Sequence, residues 1–162
     1  VVLCLDAHTD LRPAYLGEEF SHASACYLMN RCLPPGALYQ FGVRSGPRED
    51  FLYAREHTRL FPERVLEPLR RVLPDLQGKP VYFTLDIDVL DPAFAPGTGA
   101  PEPGGPAFEE ILSSVLLLSG LRVVGLDLVE VAPAYDPSGI TSLAAAKLVR
   151  EAIISVLKAR QH

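Results

Sequence analysis

Short apolar runs alternate with amphipathic stretches along the chain. Val1-Val-Leu-Cys-Leu5 is continuously apolar and ends in Asp6, which predicts a buried strand over residues 1–6. Residues 11–19 form a polar loop with Pro13 and Gly17. Ser21 stands where a cap is expected, ahead of a helix from about His22 to Cys32 that Leu33-Pro34-Pro35-Gly36 closes. Residues 37–43 fit a strand, residues 44–48 a turn, and a short helix follows to about His57. From Glu63 to Leu73 the apolar positions Val65, Leu66, Leu69, Val72 and Leu73 have helical spacing. Pro68 lies inside that stretch and predicts a kink or a late start. A strand over Val81–Leu85, a helix over Glu109–Leu118, a strand over Leu121–Leu126 and a long amphipathic helix over Ile140–Leu157 complete the pattern. Alternation of this kind predicts an α/β fold, a parallel sheet covered on both faces.

Composition narrows the picture. With 162 residues, 48% of them hydrophobic, the chain can bury one core; no internal repeat or linker divides it, so residues 1–162 read as a single domain. A net charge of −5 without a basic block argues against nucleic acid or an anionic membrane surface as partner. No apolar run approaches the roughly 18 residues of a spanning helix, and no signal peptide is visible. The cysteines Cys4, Cys26 and Cys32 are odd in number and lack CxxC spacing, as expected of reduced, mostly buried thiols in a cytoplasmic protein. Arginine outnumbers lysine and proline is frequent, which leans towards a thermophile or a GC-rich genome. His57 and His162 have no motif and read as surface residues. The opening in mid-strand at Val1 reads as the carboxyl-terminal, catalytic portion of a longer protein whose sheet has earlier strands.

Two acidic clusters carry the chemistry. Asp6-Ala-His8-Thr-Asp10 follows the first strand, and Asp86-Ile-Asp88-Val-Leu-Asp91-Pro92 follows the strand at 81–85. The carboxyl ends of strands are where open α/β sheets bind ligands. Taken singly, the first cluster also reads as a loop whose acids cap the next helix, and the second as a Ca²⁺ or Mg²⁺ site. Together they concentrate carboxylates that repel one another unless a cation lies between them. Hard oxygen donors with one imidazole suit Mn²⁺ or Fe²⁺ better than structural zinc, and a metal pair can activate water against an electrophilic carbon. Glu130, after the strand at 121–126, could face a cationic group. His22 is a candidate proton donor to a leaving amine. The loop at 91–106, rich in Pro and Gly, reads as an ordered wall of the site.

In combination, these motifs resemble the ureohydrolase family of arginases and agmatinases over essentially the whole chain. The resemblance rests on DAHTD at 6–10, Ser21-His22-Ala-Ser24, Leu85-Asp-Ile-Asp-Val-Leu-Asp-Pro-Ala-Phe-Ala-Pro-Gly-Thr-Gly99 and Gly125-Leu-Asp-Leu-Val-Glu-Val-Ala-Pro133. It implies a three-layer α/β/α fold, two Mn²⁺ ions, and hydrolysis of a guanidine to urea and an amine. By position, Asp6 and Asp86 would bridge the metals, Asp10 would complete one set, and His8 with Asp88 the other. Glu130 would hold the guanidinium, His22 would shuttle a proton, and Asp91 would orient ligands from behind. The family's upstream Gly-Gly-x-His motif is absent from this chain, which reads either as a fragment or as a site that binds one metal weakly.

The segment Leu11-Arg-Pro-Ala-Tyr-Leu-Gly-Glu-Glu-Phe-Ser-His22 is similar to agmatinases, particularly those of archaea and thermophilic bacteria, rather than arginases. That implies a small cationic guanidino substrate (agmatine or aminopropyl-agmatine), putrescine or spermidine as product, and a homo-oligomer, trimer or hexamer. Glu18 or Glu19 would then meet the substrate's cationic tail. The alternatives are another guanidine or formimino hydrolase, such as a guanidinobutyrase or an arginase, and a non-catalytic metal-binding subunit. Single-zinc deacetylases on this general fold need fewer carboxylates.

Overall fold

The computed structural model describes residues 1–159. Five parallel strands form one sheet: β1 (Val2–Leu5), β2 (Leu38–Phe41), β3 (Arg59–Phe61), β4 (Pro80–Asp86) and β5 (Arg122–Val129), in the order β3-β2-β1-β4-β5. The chain starts in the middle, builds outward through β2 to β3, then returns past β1 to lay down β4 and β5. The order therefore reverses between β1 and β4, the two strands that end in the acidic clusters. Such a switch point leaves a crevice outside the carboxyl ends of the strands.

Helices cover the two faces unequally. Helices α1 (Ala25–Cys32) and α2 (Arg48–His57) pack on one face, where Val2, Cys4 and Leu38 meet Cys26 and Ala54. Helices α3 (Leu66–Leu76), α4 (Phe108–Leu116) and α5 (Ile140–Ala159) cover the other, where Leu3, Leu5, Phe83 and Leu85 meet Leu69, Ile111 and Leu148. Strand β1 is buried on both sides, which is why it reads as an unbroken apolar run. Each fully buried Leu or Phe of this core contributes about 1.5–3 kcal/mol. Strand β4 alternates only at its start: Val81, Phe83 and Leu85 are buried, and on the opposite face Tyr82 is exposed and donates its hydroxyl to Asp127 at 2.6 Å, whereas Thr84 and Asp86 beyond it are buried.

Two strands depart from expectation, and the helix with Pro68 takes one of its two expected forms. Strand β3 carries no periodic signal in three residues; it adds Phe61, stacked on Phe41 at 4.9 Å, to the sheet edge. The Pro68 helix resolves as a late start: it begins at Leu66, so Pro68 falls in the first turn, where a missing N–H costs nothing. Strand β5 runs to Val129, three residues past the expected end, and delivers Glu130 directly at its tip. Ser21 does begin the helical segment, but its hydroxyl pairs with Ser24 Oγ at 2.9 Å and caps no backbone N–H. Cys4 and Cys26 are buried free thiols 3.7 Å apart, whereas Cys32 is exposed. His57 is exposed as expected, and His162 lies outside the described residues. No helix among the described residues is long and apolar enough to cross a membrane.

Candidate metal centre

The two clusters build similar turns side by side. Asp6 Oδ1 accepts the His8 amide at 2.6 Å, and Asp86 Oδ1 accepts the Asp88 amide at 2.9 Å. Each leading aspartate thus bends its own chain two residues on, as short acids do in turns, and this bend brings residues i and i+2 together. The turns are cross-linked: the Ala7 amide donates to Asp88 Oδ1 at 3.2 Å, and His8 Nδ1 lies 2.9 Å from Asp88 Oδ2. Ligand atoms of Asp6, His8 and Asp88 lie within 4.8 Å of one another. Asp10 and Asp86 stand outside that tight group but on the wall of the same cavity, which has a volume of about 360 Å³ and is also lined by His22 and Glu130. Of the seven site residues expected from the sequence, six therefore line one cavity, and Asp6 lies against His8 behind it.

Backbone geometry marks the same places. Asp10 and Glu130 both have left-handed φ, 49° and 63°. Aspartate tolerates this region; for glutamate it is rarer, and such conformations persist where surrounding structure enforces them, often at functional sites. Glu130 Oε2 lies close to the 91–106 loop, since a Cβ on Gly99 would stand 3.5 Å from it. That loop supplies Ala100 to the cavity wall. Asp91 is not oriented towards the ligands; its carboxylate accepts from Ala93 N at 2.9 Å and Gly104 N at 2.8 Å, and so fastens the loop.

The charge balance of the site is lopsided. Burial, then the neighbouring Asp6, pushes Asp86 up to about 10. The same two causes in the same order push Asp10 up to about 8. Burial raises Asp6 despite the hydrogen bonds from His8. His8 is pushed up to about 10 by Asp6 and Asp88, of which Asp88 makes the shorter contact. Among the described residues no lysine or arginine ion-pairs with Asp6, Asp10, Asp86, Asp88 or Glu130. Buried carboxylates that cannot all ionise beside one another are the donor set a divalent cation relieves. Four carboxylates with one imidazole fit Mn²⁺ or Fe²⁺.

Sequence patterns gave no hint of Arg44. Its guanidinium donates to the backbone carbonyls of Asp88 (2.9 Å), Val89 (3.1 Å) and Glu102 (2.6 Å), while its own amide donates to Ala7 O at 2.8 Å. It ties together both acidic turns and the loop wall, although it touches no ligand atom. Arg12 and Tyr15 were also overlooked: both line the cavity, with the Arg12 guanidinium 4.8 Å from the Tyr15 ring centre and His22 edge-on to that ring at 5.3 Å. Glu18 and Glu19, the expected tail acceptors, are exposed and do not line it.

Comparison with known proteins places this geometry in context. The arginase family profile matches residues 1–155. An agmatinase of Bacillus anthracis is 49% identical over 160 residues, covering 97% of this chain and 55% of its own. A human mitochondrial guanidino acid hydrolase is 36% identical over 171 residues, covering 97% of this chain and 48% of its own. The crystal structure of the agmatine ureohydrolase of Thermoplasma volcanium superposes with a TM-score of 0.86 at 32% identity, over 99% of this chain and 56% of that one. The chain thus spans about half the length of the curated relatives it matches.

Proposed function

The chain belongs to the arginase family, and from that premise we propose that it carries the site of a Mn²⁺-dependent agmatinase-type hydrolase. The substrate would be agmatine or aminopropyl-agmatine; the products would be urea and putrescine or spermidine. The observation that carries this reading is the meeting of Asp6, His8 and Asp88 at the β1/β4 switch point, with His8 and Asp88 lining one cavity with Glu130 and His22.

In this reading Asp6, His8, Asp10, Asp86 and Asp88 would hold the Mn²⁺, with Asp6 and Asp86 shared between the two sets that Asp10 on one side and His8 and Asp88 on the other would complete. When bound, such a pair supplies a water acidic enough to act as nucleophile near neutral pH. Glu130, on the cavity wall, receives the guanidinium through charge-assisted hydrogen bonds. His22, exposed at the cavity wall, gives a proton to the departing amine. Hydrolysis of a guanidino acid is the second reading, because Arg12 on the cavity wall would suit a carboxylate tail.

The test is urea release by the full-length, Mn²⁺-loaded protein from agmatine, aminopropyl-agmatine, guanidinobutyrate and arginine. Urea from either agmatine compound and not from arginine is the expected result. Metal uptake without urea from any guanidine would instead leave a non-catalytic metal-binding protein.

A further inference from the structure

We propose that Asp50 reads the far end of the substrate, its carboxylate receiving the cationic amine of the tail while the guanidinium rests against Glu130. The inference deepens the hydrolase reading above and rests on it.

Asp50 is the third residue of α2 and is buried, at 4% exposure. An acid at that helical position usually reaches back to the N–H of the cap residue. Here the cap is Pro47, which has no N–H. Asp50 turns inward instead. Its Oδ2 accepts the Thr9 hydroxyl at 2.6 Å, and Oδ1 has no hydrogen-bond partner among the described residues. No lysine or arginine among those residues ion-pairs with it, yet it lines the same cavity as the metal-site carboxylates. That open oxygen is not sealed in the core, and a carboxylate on a cavity wall with a free acceptor and no cation beside it is available to a ligand's donor.

The surroundings hold this carboxylate in place. Thr9 sits between His8 and Asp10, and its backbone is pinned by Ser45 O at 3.1 Å and by the Gln40 side chain at 2.8 Å. Gly46 leaves room for Thr9; a Cβ there would collide with its side chain. The placement also suits an elongated substrate. Glu130 leaves β5 and Asp50 follows β2, with the ends of β1 and β4 between them. Strands β5 and β2 are three spacings apart in the sheet, about 14 Å, an interval that an extended four-methylene guanidino amine fills together with a hydrogen bond at each end. Arg12 offers the opposite charge in the same cavity, but its guanidinium already lies on the Tyr15 ring, whereas the charge of Asp50 is unanswered.

The experiment uses the full-length, Mn²⁺-loaded protein and three guanidines: agmatine, n-butylguanidine, which lacks the amine, and 4-guanidinobutyrate, whose tail is anionic. Asp50→Asn is expected to raise KM for agmatine by roughly 10- to 100-fold, the range for a lost charge-assisted hydrogen bond, with a much smaller change in kcat. The loss on butylguanidine should be several-fold smaller, guanidinobutyrate should improve relative to agmatine, and Asp50→Glu should recover part of the agmatine KM. Equal losses on agmatine and butylguanidine would overturn the assignment and leave Asp50 a packing residue. One measurement needs no variant: the parent protein should prefer agmatine to butylguanidine in kcat/KM by at least about tenfold, and no preference would also overturn it. A parent that releases urea from guanidinobutyrate alone assigns the tail to Arg12 and excludes Asp50. No urea from any guanidine removes the hydrolase reading itself, an outcome distinct from the others.

Discussion

Two sets of buried aspartates in this chain have opposite fates. Asp86, at the end of β4, is pushed up to about 10 by burial first and then by the carboxylates of Asp6 and Asp88 beside it. Asp136, ahead of α5, exposes as little surface but sits shallower in the fold, among donors: the Ser138 hydroxyl, the Ser138 amide and the Thr141 amide at 2.7 Å. The Ser138 hydroxyl first, then the Thr141 amide, hold it at about 2. Identical side chains thus serve different ends according to depth and neighbours. Donors around an acid make it part of the fold; acids around an acid leave a debt of charge that marks a site.

Substitution at each kind of site should separate activity from stability. The largest effect is expected at Asp86. Asp86→Asn keeps an acceptor for the Asp88 amide but removes the charge. Urea release should fall by about a thousandfold or more, the consequence of losing about 4 kcal/mol of transition-state stabilisation. The metal-free protein should respond in the opposite sense. A carboxyl raised above its ordinary value of 3.8 destabilises the fold increasingly as pH rises above that value, so at pH 7 the amide removes a cost. Thermal unfolding should show a rise of about 2–4 °C, equivalent to ~1 kcal/mol. An Asp86→Asn protein that kept the parent rate would break the comparison at its first term.

Metal is the next lever. Mn²⁺ at a hundredfold excess over its dissociation constant should stabilise the folded protein by about 2.7 kcal/mol, seen as a higher Tm that a chelator reverses. Asp86→Asn should lose most of this increment. If Mn²⁺ left the Tm of the parent unchanged, the lopsided charge at β1 and β4 would need another explanation.

How much of this was legible beforehand depended on range. The acidic motifs and the strands that carry them were readable because both signals are local: an apolar run and the acids at its end. Their meeting at a switch point could be expected from alternation of strands and helices. Arg44 was invisible because its partners are backbone carbonyls 44–58 residues away, and backbone has no sequence signature. Asp50 carries no motif of its own; Pro47 as its cap removes the usual partner, and only the fold shows where the carboxylate turns. Glu18 and Glu19 illustrate the reverse error, since nearness to DAHTD in sequence did not carry them into the cavity. β3 was too short for periodicity to register.

Arg44 tests whether the two turns need an external brace. Arg44→Met keeps the aliphatic stem but frees the carbonyls at 88, 89 and 102. Groups that orient ligands from behind typically contribute 10- to 100-fold, and the same range, about 10- to 100-fold, is expected here in Mn²⁺ affinity measured by titration. Arg44→Lys should recover little, since one ammonium cannot reproduce a planar fork of donors. Unaltered affinity would mean that the bends at Asp6 and Asp86 hold the ligands unaided.

The smallest effect belongs to Asp136, the donor-rich side of the comparison. Its carboxyl lies below the ordinary 3.8 in the folded protein, at about 2. The folded state therefore favours the ionised form, and the resulting stability is fully present above the unfolded value and lost as pH falls through the folded one. Asp136→Asn should lower Tm by a few degrees at pH 7, and the gap between parent and variant should narrow between about pH 4 and pH 2. Urea release at pH 7 should stay near the parent rate, because Asp136 faces the start of α5 and not the cavity. A gap that is constant with pH would mean the stabilisation comes from shape rather than charge. Asp136 would then no longer be the counterpart of Asp86, and the contrast between donors and acids would have to rest on the switch point alone.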